Sequence, residues 1–246
     1  MNRTLTEFST LTFDCYGTLI DWESGIWDAL QPLLMENHAT GITRERALSA
    51  FAKAEHRLER ENPAMRYPDL LESVHREIAL HFGLATTRPL DGRFGQSVQA
   101  WPAFPDTADA LRVLKQHFNL VILSNVHTAG FAASNQKLGV EFDAVYTAEM
   151  IGSYKPSERN FAYMLDRLDR DLGIGPESIL HTAQSLFHDH VMARKFGLSN
   201  CWIDRQHLND RGNWGATTVV ADLPEFDFLF HSMGEMALAV QDLSST

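Results

Sequence analysis

Four apolar runs in this 246-residue chain each end in polar side chains: "LTFDCYGT" at 11–18, "NLVILSN" at 119–125, "ESILHTAQS" at 177–185 and "NCWIDR" at 200–205. A run that is apolar on both faces belongs inside a parallel sheet, and the polar residues that close it mark the carboxyl end of a strand. Helical spacing fills the gaps. Residues 105–117 carry Ala108, Leu111 and Leu114 behind Pro105, residues 157–171 carry Phe161, Leu165 and Leu168, and a shorter stretch at 188–196 is closed by Gly197. Strands alternating with helices dictate βαβ crossovers, so the expected fold is α/β, a doubly wound, Rossmann-like parallel sheet. "DAVYTAE" at 143–149 and "TTVVAD" at 217–222 read as shorter strands.

Residues 19–100 break this alternation. "SGIWDALQPLLMEN", "TRERALSAFAKAEHRLERE" and "YPDLLESVHREIALHFG" have the periodicity of amphipathic helices, and no strand stands between them. The expected organisation is a core of residues 1–18 and 101–246 interrupted by a helical cap at 19–100, with Pro102 and Pro105 marking the return. Open α/β sheets bind ligands beyond the carboxyl ends of their strands, so an insert leaving from that edge lies over the site as a lid.

Composition excludes several classes. The chain is 44% hydrophobic and 22% charged, and no run approaches the roughly 18 apolar residues of a membrane span. "MNRTLTEFST" has no apolar stretch or small-residue cleavage site of a secretory signal, and Cys15 and Cys201 are too few for a disulfide framework. A cytoplasmic location is therefore expected. A formal charge of −11 with no basic cluster opposes nucleic-acid binding, and a small anionic substrate would need locally placed cations and N–H groups. Exposed apolar positions on the insert leave room for a homodimer.

The strand ends carry the chemistry. The first offers Asp14 and Thr18 and the second Ser124 and Asn125; "YKP" supplies Lys155, and the strand at 179–183 leads into "QSLFHDH" with Asp189. Taken singly, each has an ordinary explanation: a satisfied turn aspartate, a turn-forming Ser-Asn pair, an exposed loop lysine, a helix-capping aspartate. Collected at one sheet edge, they make a pocket with two carboxylates and one ammonium, a set suited to nucleophilic catalysis. One Asp attacks an electrophile to form an ester, and the other, held near Lys155, orients or deprotonates the water that cleaves it. Cys15, opposite Asp14 by strand alternation, reads as core, and Trp22 near the hinge as a pocket wall. His127, His181, His188 and His190 do not have metal-ligand spacing; His127 and His188 are expected to be donors near the pocket.

"FDCYGTL", "ILSN", "YKP" and the acidic loop after "ILHTAQS", in that order around a helical insert, resemble the haloacid dehalogenase superfamily of hydrolases. "DxYGT" followed by "LIDW" is most similar to its 2-haloacid dehalogenase branch. The resemblance implies that Asp14 is the nucleophile, displacing halide with inversion, and that Asp189 is the base or water-orienting group. It further implies that Lys155 keeps Asp14 ionised, that Thr18, Ser124 and Asn125 hold the nucleophile or the substrate carboxylate, and that Tyr16 and Trp22 contact substrate. No cofactor or metal is expected. Phosphatases of the superfamily carry a second Asp two positions after the nucleophile, where this chain has Tyr16; an alkoxide leaving group needs that proton and a halide does not. The alternative is a phosphatase-like or phosphonatase-like enzyme holding Mg²⁺ through Asp14, the Tyr16 carbonyl and Asp189.

The chain also departs from the family pattern. An Arg from the insert's early helix binds halide and carboxylate in the family, whereas "ALSAFAKAEHRLE" offers Lys53 and Arg57. Phe161 stands where the family usually has Tyr, and "QSLFHD" where it favours "SSNAWD", with Leu186 in place of Asn.

Overall fold

The computed structural model describes residues 3–210, 212, 220 and 223–244. A parallel sheet forms from β1 (Thr10–Phe13), β2 (Asn119–Ser124), β3 (Ala144–Thr147), β4 (Ile179–Ala183), β5 (Ser199–Ile203) and β6 (Phe228–Phe230), in the order β3-β2-β1-β4-β5-β6. Central β1 is buried along its whole length, which is why its sequence reads as continuously apolar rather than alternating. Phe13 pairs with both Ile122 and Thr182, so β1 lies between β2 and β4, and the strand order reverses there. A crevice opens at that reversal, beyond the strand ends.

Both sheet faces are covered. Leu120 and Ile122 of β2 pack into the same core as Leu111 and Leu114 of α5 (Thr107–Leu114) and Met236 and Val240 of α10 (Met233–Ser244). Their neighbours Val121 and Leu123 point the other way, onto Phe161, Met164 and Leu168 of α8 (Glu158–Leu172) and Ala193 of α9 (Val191–Lys195). This is the two-residue period of a strand buried on both sides.

The predicted first strand ends earlier than residue 18. After Phe13 the chain folds into a tight turn in which Leu19 and Ile20 donate to the Cys15 carbonyl at 2.8 and 2.9 Å, and Gly17 donates to Ile20 at 2.8 Å. Gly17 has φ +99°, and a Cβ there would meet Gln184 Oε1 at 3.1 Å and the Trp22 indole nitrogen at 3.3 Å, so the turn requires glycine. The outgoing and returning chains then pair: Ile20 bridges Ala103, Asp21 donates to the Pro102 carbonyl at 2.8 Å, and Phe104 donates to that of Leu19 at 3.1 Å.

Between these crossing points all regular structure is helical: α1 (Trp22–Glu36), α2 (Arg44–Glu61), α3 (Tyr67–Phe82), α4 (Arg88–Gly95) and a 3₁₀ turn at Ser97–Ala100. Asp21, Thr43 and Thr87 cap α1, α2 and α4 by accepting N–H groups of their first turns, and Gly83 closes α3 in the left-handed conformation. Leu30, Phe51, Leu70, Val74, Ile78 and Phe94 form the buried interior of this helical layer.

Several elements were not legible in the sequence: α4, α6 (Thr128–Leu138), the short α7 (Ala148–Ile151), α10 and β6. The predicted strand 143–149 is shorter, at 144–147, and that at 217–222 lies, but for Val220, outside the described residues. The helix expected at 188–196 begins instead with a wide π turn at Leu186–His190, capped by Ser185, before α9. Asp189 is thus inside a turn and caps nothing. Among the described residues no helix is long and apolar enough to cross a membrane.

Candidate active site

Three strand ends and one loop converge in the crevice. Lys155 Nζ donates to Asp14 Oδ1 at 2.8 Å, Asp189 Oδ1 at 2.7 Å and the Leu123 carbonyl at 2.9 Å, so all three of its N–H donors are engaged. Thr18 Oγ1 donates to Asp14 Oδ2 at 2.9 Å and accepts the Gln184 N–H at 2.9 Å, tying the end of β1 to the end of β4. His181, on β4, donates from Nε2 to Asp189 Oδ1 at 3.0 Å, and its Nδ1 lies 2.8 Å from Thr12 Oγ1. Asn125 accepts the Lys155 backbone N–H at 2.7 Å and donates back to the Lys155 carbonyl at 3.0 Å, which fixes the loop that delivers the ammonium.

The charges are sealed in: Asp14, Lys155 and Asp189 are 6%, 2% and 0% exposed. Burial works against the Asp189 carboxylate, but Lys155 and His181 overcome it and hold the group well below the usual carboxylate range. Asp14 is shifted upward, by burial first and by the neighbouring Asp189 charge, against the pull of Lys155. Burial would lower the ammonium's pKa; the two carboxylates raise it, so Lys155 stays charged. Of two acids sharing one cation, burial thus shifts Asp14 toward protonation, while Asp189 is held ionised. Asp189 Oδ2 is buried and takes no hydrogen bond from the protein, an acceptor whose bonding capacity is unspent.

Asp14, Lys155, Asp189, Asn125, Tyr16 and Trp22 all line one pocket, as the sequence reading expected. Thr18 and Ser124 do not: Thr18 is fully engaged behind Asp14, and Ser124 is 1% exposed with its hydroxyl unpartnered in the core. Strand alternation turns Ser124 away from the crevice while Asn125, one residue on, faces it. Tyr16 puts its ring on the pocket wall and its hydroxyl 3.0 Å from Ser134 Oγ. Cys15 is core.

The insert contributes a different set from the one anticipated. Ala52, Glu55, His56 and Glu59, one face of α2 at helical spacing, line the pocket with Tyr67 and Trp101. Lys53 and Arg57 lie on another face, along a surface groove with Arg46 and Glu77, and Arg57 is paired with Glu61 and Glu77. Neither stands in for a substrate-binding arginine. Burial pushes Glu55 up to about 7, although it accepts the Tyr67 hydroxyl at 2.5 Å. Glu59, which accepts Asn125 Nδ2 at 3.3 Å, is raised well above its usual value by burial and by Glu55. Sequence reading missed both glutamates, because α2 carries a basic and an acidic stripe and only packing decides which faces inward.

Of the histidines, His188 lines the pocket; His127 precedes α6, makes no capping hydrogen bond and does not line the pocket, and His190 Nε2 lies 2.9 Å from the Ala183 carbonyl. Among the described residues, the grouping that could hold a metal is His207, Asp210 and His231, none of which lines the pocket.

The family model that matches residues 8–182 is that of haloacid dehalogenase-like hydrolases. The chain is 27% identical over 209 residues to (S)-2-haloacid dehalogenase H-109 of Pseudomonas putida, covering 80% of this chain and 85% of that one. It is 26% identical over 230 residues to the (S)-2-haloacid dehalogenase of Pseudomonas sp. strain YL, covering 88% and 94%. Its fold is similar to that of the L-2-haloacid dehalogenase from Xanthobacter autotrophicus with chloropropionic acid covalently bound, at a TM-score of 0.76 and 18% identity over 95% of this chain and 98% of that chain. With the family's strand-end residues gathered in one buried crevice and its model matched over most of the sequence, the chain belongs to the haloacid dehalogenase-like hydrolases.

Proposed function

We propose that the chain hydrolyses the carbon–halogen bond of a small 2-halo acid, with Asp14 as nucleophile, beneath a cap made of residues 19–100 on a core of 1–18 and 101–246. One Asp14 carboxylate oxygen attacks the halogen-bearing carbon from the side opposite the halogen; the C–O bond forms as the carbon–halogen bond breaks, and halide leaves without a proton. Water held at Asp189 Oδ2 then attacks the Asp14 carbonyl carbon, the ester C–O bond breaks, the 2-hydroxy acid departs and one proton passes to solvent. Lys155 stabilises the negative charge that gathers on the ester oxygens, Thr18 fixes the carboxylate's orientation, and Asn125 holds the lysine loop. Tyr16 and Trp22 bound the substrate's apolar part.

The observation that carries this reading is the buried ammonium of Lys155, which bridges Asp14 at 2.8 Å and a second carboxylate, Asp189, at 2.7 Å, with Asp189 Oδ2 left without a protein partner. The names of the similar proteins point to the same substrate class. The buried free cysteines Cys15 and Cys201 suit a reducing, cytoplasmic setting.

The open Asp189 oxygen also favours a second reading, in which Asp14, the Tyr16 carbonyl and Asp189 hold Mg²⁺ in a phosphatase. Two carboxylates drawn together suit a hard cation, but Tyr16 has no carboxyl with which to protonate an alkoxide. The test is chloride release from 2-chloropropionate in ¹⁸O-labelled water, with and without EDTA. Label entering the Asp14 side chain over repeated turnovers, unaffected by EDTA, is expected. Product labelled in the first turnover with no label at Asp14, or turnover of p-nitrophenyl phosphate that requires Mg²⁺, would overturn it.

A further inference from the structure

His188 is a pocket-lining imidazole to which the reaction above gives no task. Its Nε2 is buried and has no hydrogen-bond partner in the protein. The other ring nitrogen is fixed: Ser185 Oγ accepts the His188 backbone N–H at 3.2 Å, and its own hydrogen is then free to go to Nδ1, 3.0 Å away. A serine hydroxyl donating to Nδ1 leaves the ring proton on Nε2, a buried and unpartnered donor on a side chain that lines the pocket. The ring is held from both sides, edge-on to Phe187 with centroids 5.1 Å apart and against His56 of α2 at 6.1 Å.

A 2-halo acid brings a carboxylate that must find donors in this pocket. Lys155 has none left, Asn125 Nδ2 is engaged with the Lys155 carbonyl and Glu59, and the Tyr67 hydroxyl is engaged with Glu55. The α2 face brings Ala52, Glu55, His56 and Glu59 to the pocket, two carboxyls and no lysine or arginine. We propose that His188 binds the substrate's carboxylate through Nε2–H, performing with a neutral, pre-oriented donor the recognition that an insert arginine performs with charge. This inference rests on the haloacid reading above. It assigns His188 to substrate selection, and Ser185 to positioning it. A neutral donor costs the already acidic pocket no further desolvated charge, and an unmade Nε2–H bond penalises ligands that lack an acceptor.

The test compares wild type with His188→Phe, His188→Gln and Ser185→Ala, reading chloride release from 2-chloropropionate and calorimetric binding of propionate, which has no halogen to lose. A hydrogen bond to a charged acceptor corresponds to roughly 10- to 100-fold in affinity. His188→Phe is expected to raise the KM and the propionate Kd by about that factor, with kcat within about threefold. His188→Gln keeps an N–H and should recover most of the loss, and Ser185→Ala should weaken binding by a smaller factor. Unchanged propionate affinity in folded His188→Phe, a Gln variant no better than Phe, or a fall in kcat at constant KM would overturn the assignment. If His188→Phe does not fold, the Gln and Ser185→Ala variants decide: unchanged propionate binding in Ser185→Ala, or a loss as large in Gln as a complete loss of binding, counts against it. Wild type that binds propionate through His188 but releases no halide from any 2-halo acid refutes the dehalogenase reading and leaves this one standing.

Discussion

On the floor of the pocket, Lys155 donates to Asp14, Asp189 and the Leu123 carbonyl, so each of its N–H groups has a partner; on the α2 wall above, Glu55 and Glu59 face the same space beside neutral acceptors and donors. The floor keeps its charges by pairing them. The wall removes its charge by burial, which pushes Glu55 up to about 7 and Glu59 well above the ordinary range. Paired charge supports covalent chemistry, since the developing and departing negative charges meet a fixed cation. A wall of proton-holding carboxyls gives the pocket a charge that changes with pH. Floor and wall thus hold their carboxyls by different electrostatic means.

The largest effect should come from removing the floor's cation. Lys155→Met leaves Asp14 and Asp189 buried without their shared partner, a change expected to cost about 3–5 kcal/mol of stability and to abolish at least roughly 10³-fold of halide release. Urea denaturation and chloride assays read the two losses separately. Because Met fills similar volume, near-normal stability would mean that the carboxylates do not depend on Lys155, and the contrast between paired floor and neutral wall would fail.

His181 comes next. It touches no pocket surface, yet donates to Asp189 Oδ1 while anchored on Thr12. His181→Phe should lower kcat about 10- to 100-fold with KM nearly unchanged, as expected when one hydrogen bond to a charged group is lost and the water-binding carboxylate rises toward its ordinary pKa. A change in KM alone would place His181 with selection rather than reaction.

The floor was readable from the sequence and the wall was not, for a physical reason. A strand buried on both faces has an apolar signature, and the residues just beyond its carboxyl end lie at the crevice, so Asp14, Asn125 and the turn bearing Asp189 could be placed together before any coordinates. Ser124 was misplaced because a strand's two-residue period, applied one position off, turns a side chain into the core. On α2 the sequence contains two stripes, each of residues four apart, Lys53 with Arg57 and Glu55 with Glu59, and helical spacing alone does not say which one docks inward. Elements with weak periodicity were missed altogether: α4, "RPLDGRFG", is short and holds two glycines, and α6, "TAGFAASNQKL", is rich in small residues.

Glu55 offers a finer test of the wall. Around it stand Glu59 and His56 on the same helix and Tyr67 from α3. Neutral below about 7 and anionic above, Glu55 should raise the KM for 2-chloropropionate by roughly 3- to 10-fold as pH climbs through that value, and Glu55→Gln should flatten the rise. Stability follows with the same sign. A carboxyl whose folded pKa lies above its unfolded one contributes stability that is complete below the unfolded value, near 4.3, and is lost as pH rises through about 7. Thermal melts at pH 5 and pH 8 should therefore show Glu55→Gln gaining on wild type at the higher pH. A pH-independent KM in wild type would mean that the wall does not sense the substrate's charge.

The smallest expected effect is on the other stripe of α2. Arg57 is already paired with Glu61 and Glu77, and Lys53 lies along the outer groove, so neither reaches the pocket that holds Asp14. Exposed pairs of this kind contribute about 0–1 kcal/mol, and their loss should leave the chemistry alone. Lys53→Ala and Arg57→Ala are expected to keep kcat/KM for 2-chloropropionate within about twofold of wild type, with Arg57→Ala losing no more than about 1 kcal/mol of stability. The pair makes a sensitive control, because each lies two residues from a pocket-lining glutamate. A tenfold loss of kcat/KM in Arg57→Ala, at unchanged stability, would mean that α2 turns its basic stripe inward during turnover, and the acidic wall would then belong to a resting arrangement rather than to the one that meets substrate.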